Sequence, residues 1–170
     1  MEIEIREAKK DDGKNLLQFM KIVGGETDNL TFGSEGIPFS LEEEVAFIER
    51  KQNSENEVMY LALAGDEIVG DASIAGYNNR MRHRANLGIS VAKKCWNKGI
   101  GSMLMERIIS YCKSHDIEQI DLEVRCDNTS AIALYKKYGF EVFGTYPGYF
   151  KIGEDYIDFY YMVLQLKKFS

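Results

Sequence analysis

The sequence predicts a mixed α/β domain whose sheet is largely antiparallel, and three patterns predict it. Residues 2–8 alternate, with Ile3 and Ile5 set against Glu2, Glu4 and Arg6, the period of two of a half-buried strand. Residues 58–91 hold three β-leaning runs separated by short connections, the pattern of a meander. From Lys93 onward, helical spacing and strand-length runs succeed one another as helix, strand, helix, strand, strand, which is an α/β order mixed with antiparallel pieces. The 170 residues make one domain's length, 1–170, enough to bury a single core. A composition 45% hydrophobic and 28% charged, with 15 Gly and 2 Pro, is that of a globular chain.

After the first strand, Asp11 and Asp12 offer an N-cap, and Leu16, Leu17, Met20 and Val23 recur at helical spacing until Gly24-Gly25 stops the pattern. A second helix begins at Ser40, which with Glu43 forms a capping box ahead of Leu41, Val45 and Ile48. Residues 24–39 between them have neither period. A structureless stretch of that length is a binding loop or a variable surface loop. Val58–Ala64 and Ile68–Tyr77 form a hairpin through Gly65-Asp66. A basic connection, with Arg80, Arg82, His83 and Arg84, leads to Ala85–Val91; it reads as a solvated tip or an anion site. A helix then carries Ile100, Met103, Leu104, Ile108 and Cys112 on one face. The strand Gln119–Val124 follows. Asn128 caps a helix with the face Ala131, Leu134, Tyr135 and Tyr138, closed by Gly139 at C′. Strands from Glu141–Phe143 onward and over Tyr156–Leu166 finish the chain.

The charges, 21 Lys and Arg against 27 Asp and Glu, sum to −6, with a sequence pI near 5.1. Nucleic acid is therefore excluded as the main partner, because its phosphates need a concentrated cationic surface; a cationic small molecule or peptide suits the balance better. Cys95, Cys112 and Cys126 include no CxxC pair, so neither a disulfide framework nor a metal site is indicated. No apolar run approaches the roughly 20 residues that cross a bilayer, and the N-terminus lacks a signal-peptide succession. The expected location is the cytoplasm, off the membrane; a homodimer is left open.

Two constellations carry chemistry. The first is the strand, turn, helix passage through Lys98-Gly99-Ile100-Gly101-Ser102. The first amides of a helix have no intrahelical partner, and residues without side chains let a ligand approach them. Such a helix N-terminus favours an anion by about 0.3–1 kcal/mol beyond the hydrogen bonds themselves. Lys93, Lys94 and Lys98 add positive charge. A tight packing turn would use the same glycines. The dinucleotide fingerprint fails because Leu104 stands where its third Gly belongs, and no Gly-Lys-Ser/Thr run supplies a mononucleotide loop.

The second constellation is Asn128-Thr-Ser-Ala131-Ile-Ala-Leu134-Tyr135-Lys-Lys-Tyr138-Gly139-Phe140. Together the two resemble the GNAT superfamily of acetyl-CoA-dependent N-acetyltransferases, through the pattern Asn-x-x-Ala-x-x-Leu-Tyr-x-x-x-Gly-Phe and the Gly-x-Gly turn one helix and one strand before it. The closing segment Gly153–Met162 is similar to the final strand of many bacterial members. The resemblance implies a central mixed, mostly antiparallel, twisted sheet of six to seven strands flanked by about four helices. It implies that the amides of Asn97, Lys98, Gly99, Ile100, Gly101 and Ser102 hold the pyrophosphate of acetyl-CoA, that Asn128 bonds the pantetheine arm, and that Tyr135 sits near the thioester sulfur. The strand Leu87–Val91, through Ile89 and Val91, is expected to pair its backbone with the pantetheine and to part from the next strand, leaving a cleft. Trp96 departs from the family pattern, standing where Gln or Arg is usual; a packing aromatic at the turn or cofactor stacking would account for it.

The implied reaction is direct acetyl transfer to a primary amine, small and cationic or part of a peptide or protein. A lysine-like amine is about one part in 2,500 neutral at pH 7, so freeing it costs about 4.6 kcal/mol. A base helps, and the departing thiolate needs a proton. Tyr135, a phenol protonated at pH 7, can supply that proton. Relatives often carry a carboxylate early on the fourth strand, where this chain has Asn86, so the base candidate is Glu123, acting through water. Asp121, Glu123 and Arg125 form the polar face of their strand, which an ordinary ion-paired surface would also explain. Glu26 and Asp28, in the long loop, are second candidates for the base and are better read as holding a cationic substrate. The absent strand carboxylate leaves an alternative, a non-catalytic acyl-CoA-binding module, against which the retained Tyr135 argues.

Overall fold

The computed structural model describes residues 1–168. Seven strands, β1 (Glu4–Glu7), β2 (Glu57–Ala64), β3 (Glu67–Gly76), β4 (Arg84–Val91), β5 (Gln119–Arg125), β6 (Glu141–Ile152) and β7 (Asp155–Gln165), form one sheet in the order β1-β2-β3-β4-β5-β7-β6. Four helices accompany them: α1 (Gly13–Glu26), α2 (Leu41–Gln52), α3 (Ile100–Ser114) and α4 (Thr129–Lys137). Neighbouring strands are antiparallel except β4 and β5, which run parallel. The expected strand number, helix number and mixed pairing are all present.

The sheet separates two apolar layers, and β2 shows why its sequence is apolar without a break. Val58 and Ala62 face the layer containing Leu104, Met105 and Ile108 of α3 and Tyr135 of α4. Met59, Leu61 and Leu63 face the opposite layer, with Leu16, Phe19 and Val23 of α1 and Ile48 of α2. A strand covered on both faces has no polar alternation to display. Each fully buried Leu, Ile or Met contributes about 1.5–3 kcal/mol, so α3, with Ile100, Leu104, Met105 and Ile108 buried, is firmly seated.

The first helix differs from its predicted end. It runs through Gly24-Gly25 to Glu26 because those glycines serve packing rather than termination. A Cβ on Gly24 would lie 2.0 Å from the carbonyl oxygen of Gly33, so the following loop crosses the helix directly over this residue. That loop is anchored: Leu30, Phe32 and Ile37 pack on the α1/α2 layer. The second helix starts as its capping box dictates, with Ser40 Oγ accepting from the Glu43 amide at 3.1 Å and Glu43 Oε2 from the Ser40 amide at 2.7 Å. The last strands are longer than their sequence signal, since β6 and β7 form one extended hairpin.

Three charged side chains lie buried between α2 and the sheet: Glu44, Lys51 and, from β3, Asp71. Lys51 donates to the Ile74 carbonyl at 3.0 Å, and Ser90 Oγ of β4 donates to Asp71. Cys95 and Cys112 are buried and Cys126 half-buried, all as free thiols. Among the described residues no helix is long and apolar enough to cross a membrane.

Candidate active site

β4 and β5 pair over only three rungs, Arg84 with Gln119, Ala85 with Ile120 and Asn86 with Asp121. Beyond them both strands continue, β4 to Val91 and β5 to Arg125, without pairing to each other. On its other edge β4 stays paired with β3, where the Arg84 carbonyl accepts from the Tyr77 amide and the Ala92 amide donates to Val69. Backbone groups alternate between a strand's two edges. Leu87, Ile89 and Val91 therefore turn theirs toward the gap, where an extended ligand can add as a strand.

At the end of β4 the chain makes a short 3-10 turn, Lys93–Cys95, and enters α3 through Asn97 and Gly99, both left-handed at φ 59° and 79°. Gly99 needs that conformation, and a Cβ there would meet nothing within 4 Å. Gly101 has a different reason: its Cβ would lie 3.0 Å from Leu134 Cδ2, so this glycine admits α4 rather than a ligand. Among the described residues, no protein atom accepts a hydrogen bond from the amides of residues 97 to 102. Six successive donors thus converge at a helix N-terminus with no internal use, a fit to a diphosphate.

Trp96 is 43% exposed, so the packing aromatic is not a core one. Its indole Nε1 donates to the Val91 carbonyl at 2.7 Å, which pins the turn to the strand. Of the lysines expected around the turn, Lys94 pairs with Glu67, and Lys93 Nζ lies 5.9 Å over the Trp96 ring. Lys98 is exposed beside the turn. The cation missed in the sequence is Lys137, at the C-terminal end of α4, whose Nζ reaches Ser102 Oγ at 3.2 Å. Only the fold brings it there, since 35 residues separate the two.

A cavity of about 410 Å³ joins these parts. Ile89 and Val91 line it from β4, Asn97, Gly99, Ile100, Gly101 and Ser102 from the turn, and Asn128 and Tyr135 from α4. Asn128 caps α4, its Oδ1 accepting from the Ala131 amide at 3.2 Å, which leaves the side-chain NH₂ for another acceptor. Tyr135 is 7% exposed and packs on Phe140. Among the described residues its hydroxyl has no protein hydrogen-bond partner, although burial raises the phenol above the ordinary tyrosine value.

Glu123 lies across the sheet from Tyr135. Leu122 and Val124 share Tyr135's apolar layer, whereas Glu123 points to the other face, where Asn86 Nδ2 donates to it at 3.1 Å. The strand gap is thus flanked by a phenol on one side and a carboxylate on the other.

Glu26 and Asp28, expected to hold a cationic substrate, lie at the end of α1 and in the loop that follows it. Glu26 is the last residue of α1, and its Oε2 accepts from the Lys93 amide at 2.8 Å. The Asp28 carbonyl accepts from Arg125 Nη1 at 3.3 Å, and Arg125 is held by both carboxylate oxygens of Asp127, at 2.9 and 2.8 Å. Residues 26–28 therefore tie the end of β4 to the end of β5 as a strap, beside which Thr27, Asn29 and Leu30 line the cavity. Among the described residues, no group of three or more His, Cys, Asp or Glu is placed to hold a metal ion.

Comparison with known proteins places these features in a family. An acetyltransferase of the GNAT family from Streptococcus pneumoniae superposes with a TM-score of 0.93 at 32% identity, covering 98% of this chain and 100% of that one. The yncA structure from Salmonella typhimurium, which carries its cofactor acetyl-CoA, superposes at 0.85 with 19% identity, covering 99% and 96%, a likeness of fold. The L-amino acid N-acetyltransferase AaaT of Escherichia coli strain K12 is 38% identical over 104 residues, 60% of this chain and 64% of that relative, so the match spans less than two thirds of its length. The sequence model of the acetyltransferase (GNAT) family matches residues 27–140, from the strap through the parted strands and the free-amide turn to the residue on which Tyr135 packs, and the chain belongs to that family.

Proposed function

We propose that this chain transfers an acetyl group from acetyl-CoA to a primary amine by direct attack, with no covalent enzyme intermediate. The family uses acetyl-CoA, and the observation that carries the proposal is the set of unpartnered amides 97–102 opening on the same cavity as the unpartnered hydroxyl of Tyr135. The residues fit that cosubstrate: amides 97–102 and Lys137 would hold the diphosphate, and Ile89, Val91 and the Asn128 NH₂ the pantetheine. Bound there, acetyl-CoA supplies an acetyl group already activated as a thioester.

The protein's part is then to move protons. The amine arrives on the Asn86 and Glu123 face as an ammonium, and Glu123, through a water, takes one proton. That costs about 4.6 kcal/mol for a lysine-like amine at pH 7 and about 1 kcal/mol for an α-amino group. The nitrogen forms its bond to the acetyl carbon as the carbon–sulfur bond breaks. Tyr135 Oη delivers its proton to the departing sulfur, and the nitrogen's remaining excess proton leaves to solvent, from which the phenol is restored. Burial in this apolar layer raises a thiol, as it pushes Cys112 up to about 12, and raises the Tyr135 phenol in the same direction, so the two groups stay matched and the phenol can still donate to the departing sulfur.

The acceptor is a small cationic amine or a protein amino group, consistent with the net charge of −6. The test is thiol release from acetyl-CoA in the presence of spermidine, free L-amino acids and short peptides with a free N-terminus. Release that depends on one of these amines is expected. Tight CoA binding with no release from any amine would favour the acyl-CoA-binding module instead.

A further inference from the structure

The last rung that joins β4 to β5 pairs Asn86 with Asp121, and the polar groups there are arranged around one carboxamide. Asn86 Nδ2 lies 3.0 Å from Asp121 Oδ1 and 3.1 Å from Glu123 Oε2, so its two hydrogens go to two different carboxylates. An amide oxygen in that place would face two anions, which fixes the nitrogen toward them.

Asp121 is the anchored member. Its side chain is fully buried, and it also accepts from Arg84 Nη2 at 2.8 Å and from the Tyr77 hydroxyl at 3.0 Å. The Arg84 guanidinium sits 4.9 Å over the Tyr77 ring. One Asn86 hydrogen is thereby fixed on a rigid frame, and the planar amide aims the other. Glu123 has no comparable frame: among the described residues Asn86 is its only hydrogen-bond donor. The other titratable or charged groups around it are Asp121, Arg84, Tyr161 of β7, Tyr149 of β6 and, two residues along β5, Arg125.

We infer that Asn86 is the positioning residue of the transfer, holding the Glu123 carboxylate aimed into the gap between β4 and β5. The inference rests on the reading of Glu123 as proton acceptor given above. Its physical content is orientation. A fixed orientation at the point where the strands part keeps the acceptor within reach of an amine at the thioester.

The test is steady-state kinetics of the full chain with the amine that supports thiol release, run as a double-mutant cycle. Asn86→Ala should lower kcat about tenfold at pH 7 and leave the KM for acetyl-CoA unchanged. Asn86→Asp, nearly isosteric, turns an anion instead of a donor toward Glu123 and should lower kcat at least as far. In a Glu123→Gln background, Asn86→Ala should change kcat by less than about twofold, because its effect passes through Glu123. Calorimetric CoA affinity should stay within about twofold of wild type in each variant, which also reports that they fold. A tenfold loss that persists undiminished in the Glu123→Gln background would make Asn86 a strand-packing residue and overturn the inference. Wild-type turnover and pH profile in Glu123→Gln alone would remove the proton-acceptor reading itself. The two failures are distinct, since one is read in the double variant and the other in Glu123→Gln alone.

Discussion

Replacing Glu44 by Gln should stabilise the protein, and by an amount that grows with pH. Glu44 is 1% exposed on α2, with Oε2 buried and without a hydrogen-bond partner. Burial, and secondarily the charge of Asp71, push its carboxyl up to about 7, from an ordinary value of 4.5. Burial likewise pushes Asp71 up to about 6, opposed by the Ser90 hydroxyl and the charge of Lys51. Between about pH 6 and 7 Asp71 is largely ionised and Glu44 largely protonated, which leaves the cluster neutral with the Lys51 ammonium. Between about pH 4.5 and 7 the folded chain binds more protons than the unfolded one, so stability falls as pH rises through that window. A rise of about 2.5 units corresponds to about 3 kcal/mol at most, and local relaxation reduces it to about 2–3 kcal/mol. Gln keeps the volume of the neutral acid and cannot ionise. Urea unfolding at pH 5, 6, 7 and 8 should show the variant's advantage wider at pH 8 than at pH 5 by about 2 kcal/mol, or about 4–8 °C in Tm for a chain of this size. An advantage independent of pH, or a variant less stable at pH 8, would refute the reasoning.

Tyr135→Phe removes one hydroxyl and little volume; kcat should fall about 100-fold while calorimetric CoA affinity holds, and equal losses in both would make Tyr135 a packing residue. Gly99→Ala puts a Cβ into open space but at φ 79°, so only the backbone resists. Its expected loss is about 1 kcal/mol in unfolding free energy, with CoA binding weakened about tenfold as the amides turn away from their common focus, measurable by urea unfolding and calorimetry. Glu26→Ala separates strap from substrate site. Freeing the Lys93 amide should weaken CoA about fivefold, from about 1 kcal/mol, and leave the amine KM unchanged, whereas a cation-holding Glu26 would raise the amine KM alone.

What the sequence made legible follows the range of each signal. The capping box at Ser40, the Asn128 cap and the free amides after Gly99 depend on residues within a few positions, and each is present where its spacing placed it. Gly24 misled because a helix-stopping glycine and a glycine that admits a crossing loop look alike in one dimension; only the Gly33 carbonyl above it tells them apart. Glu26 and Asp28 were visible as acidic residues near the site, yet their partners, Lys93 and Arg125, lie 67 and 97 residues away. Lys137 escaped for the same reason. Glu44, Lys51 and Asp71 have no local signature at all, since Glu44 and Lys51 are scattered among the exposed charges of an amphipathic helix.

The position of the site follows from one topological fact. β4, α3 and β5 form a strand, helix, strand unit with parallel strands, the only such pairing among the described residues. A parallel connection carries the chain back along the sheet through a helix, which sets that helix's N-terminus at the C-terminal end of the strand before it. Free amides of α3 and the open end of the strand pair are therefore neighbours by construction, as in open sheets where ligands settle beyond the carboxyl ends of strands. Because the gap passes through the sheet, groups on opposite faces can reach one ligand without reaching each other. Tyr135 stays protonated in an apolar layer while Glu123 sits in a polar cluster with Asn86 and Asp121, so in the proposed transfer the sheet between them would keep donor and acceptor from exchanging their proton directly.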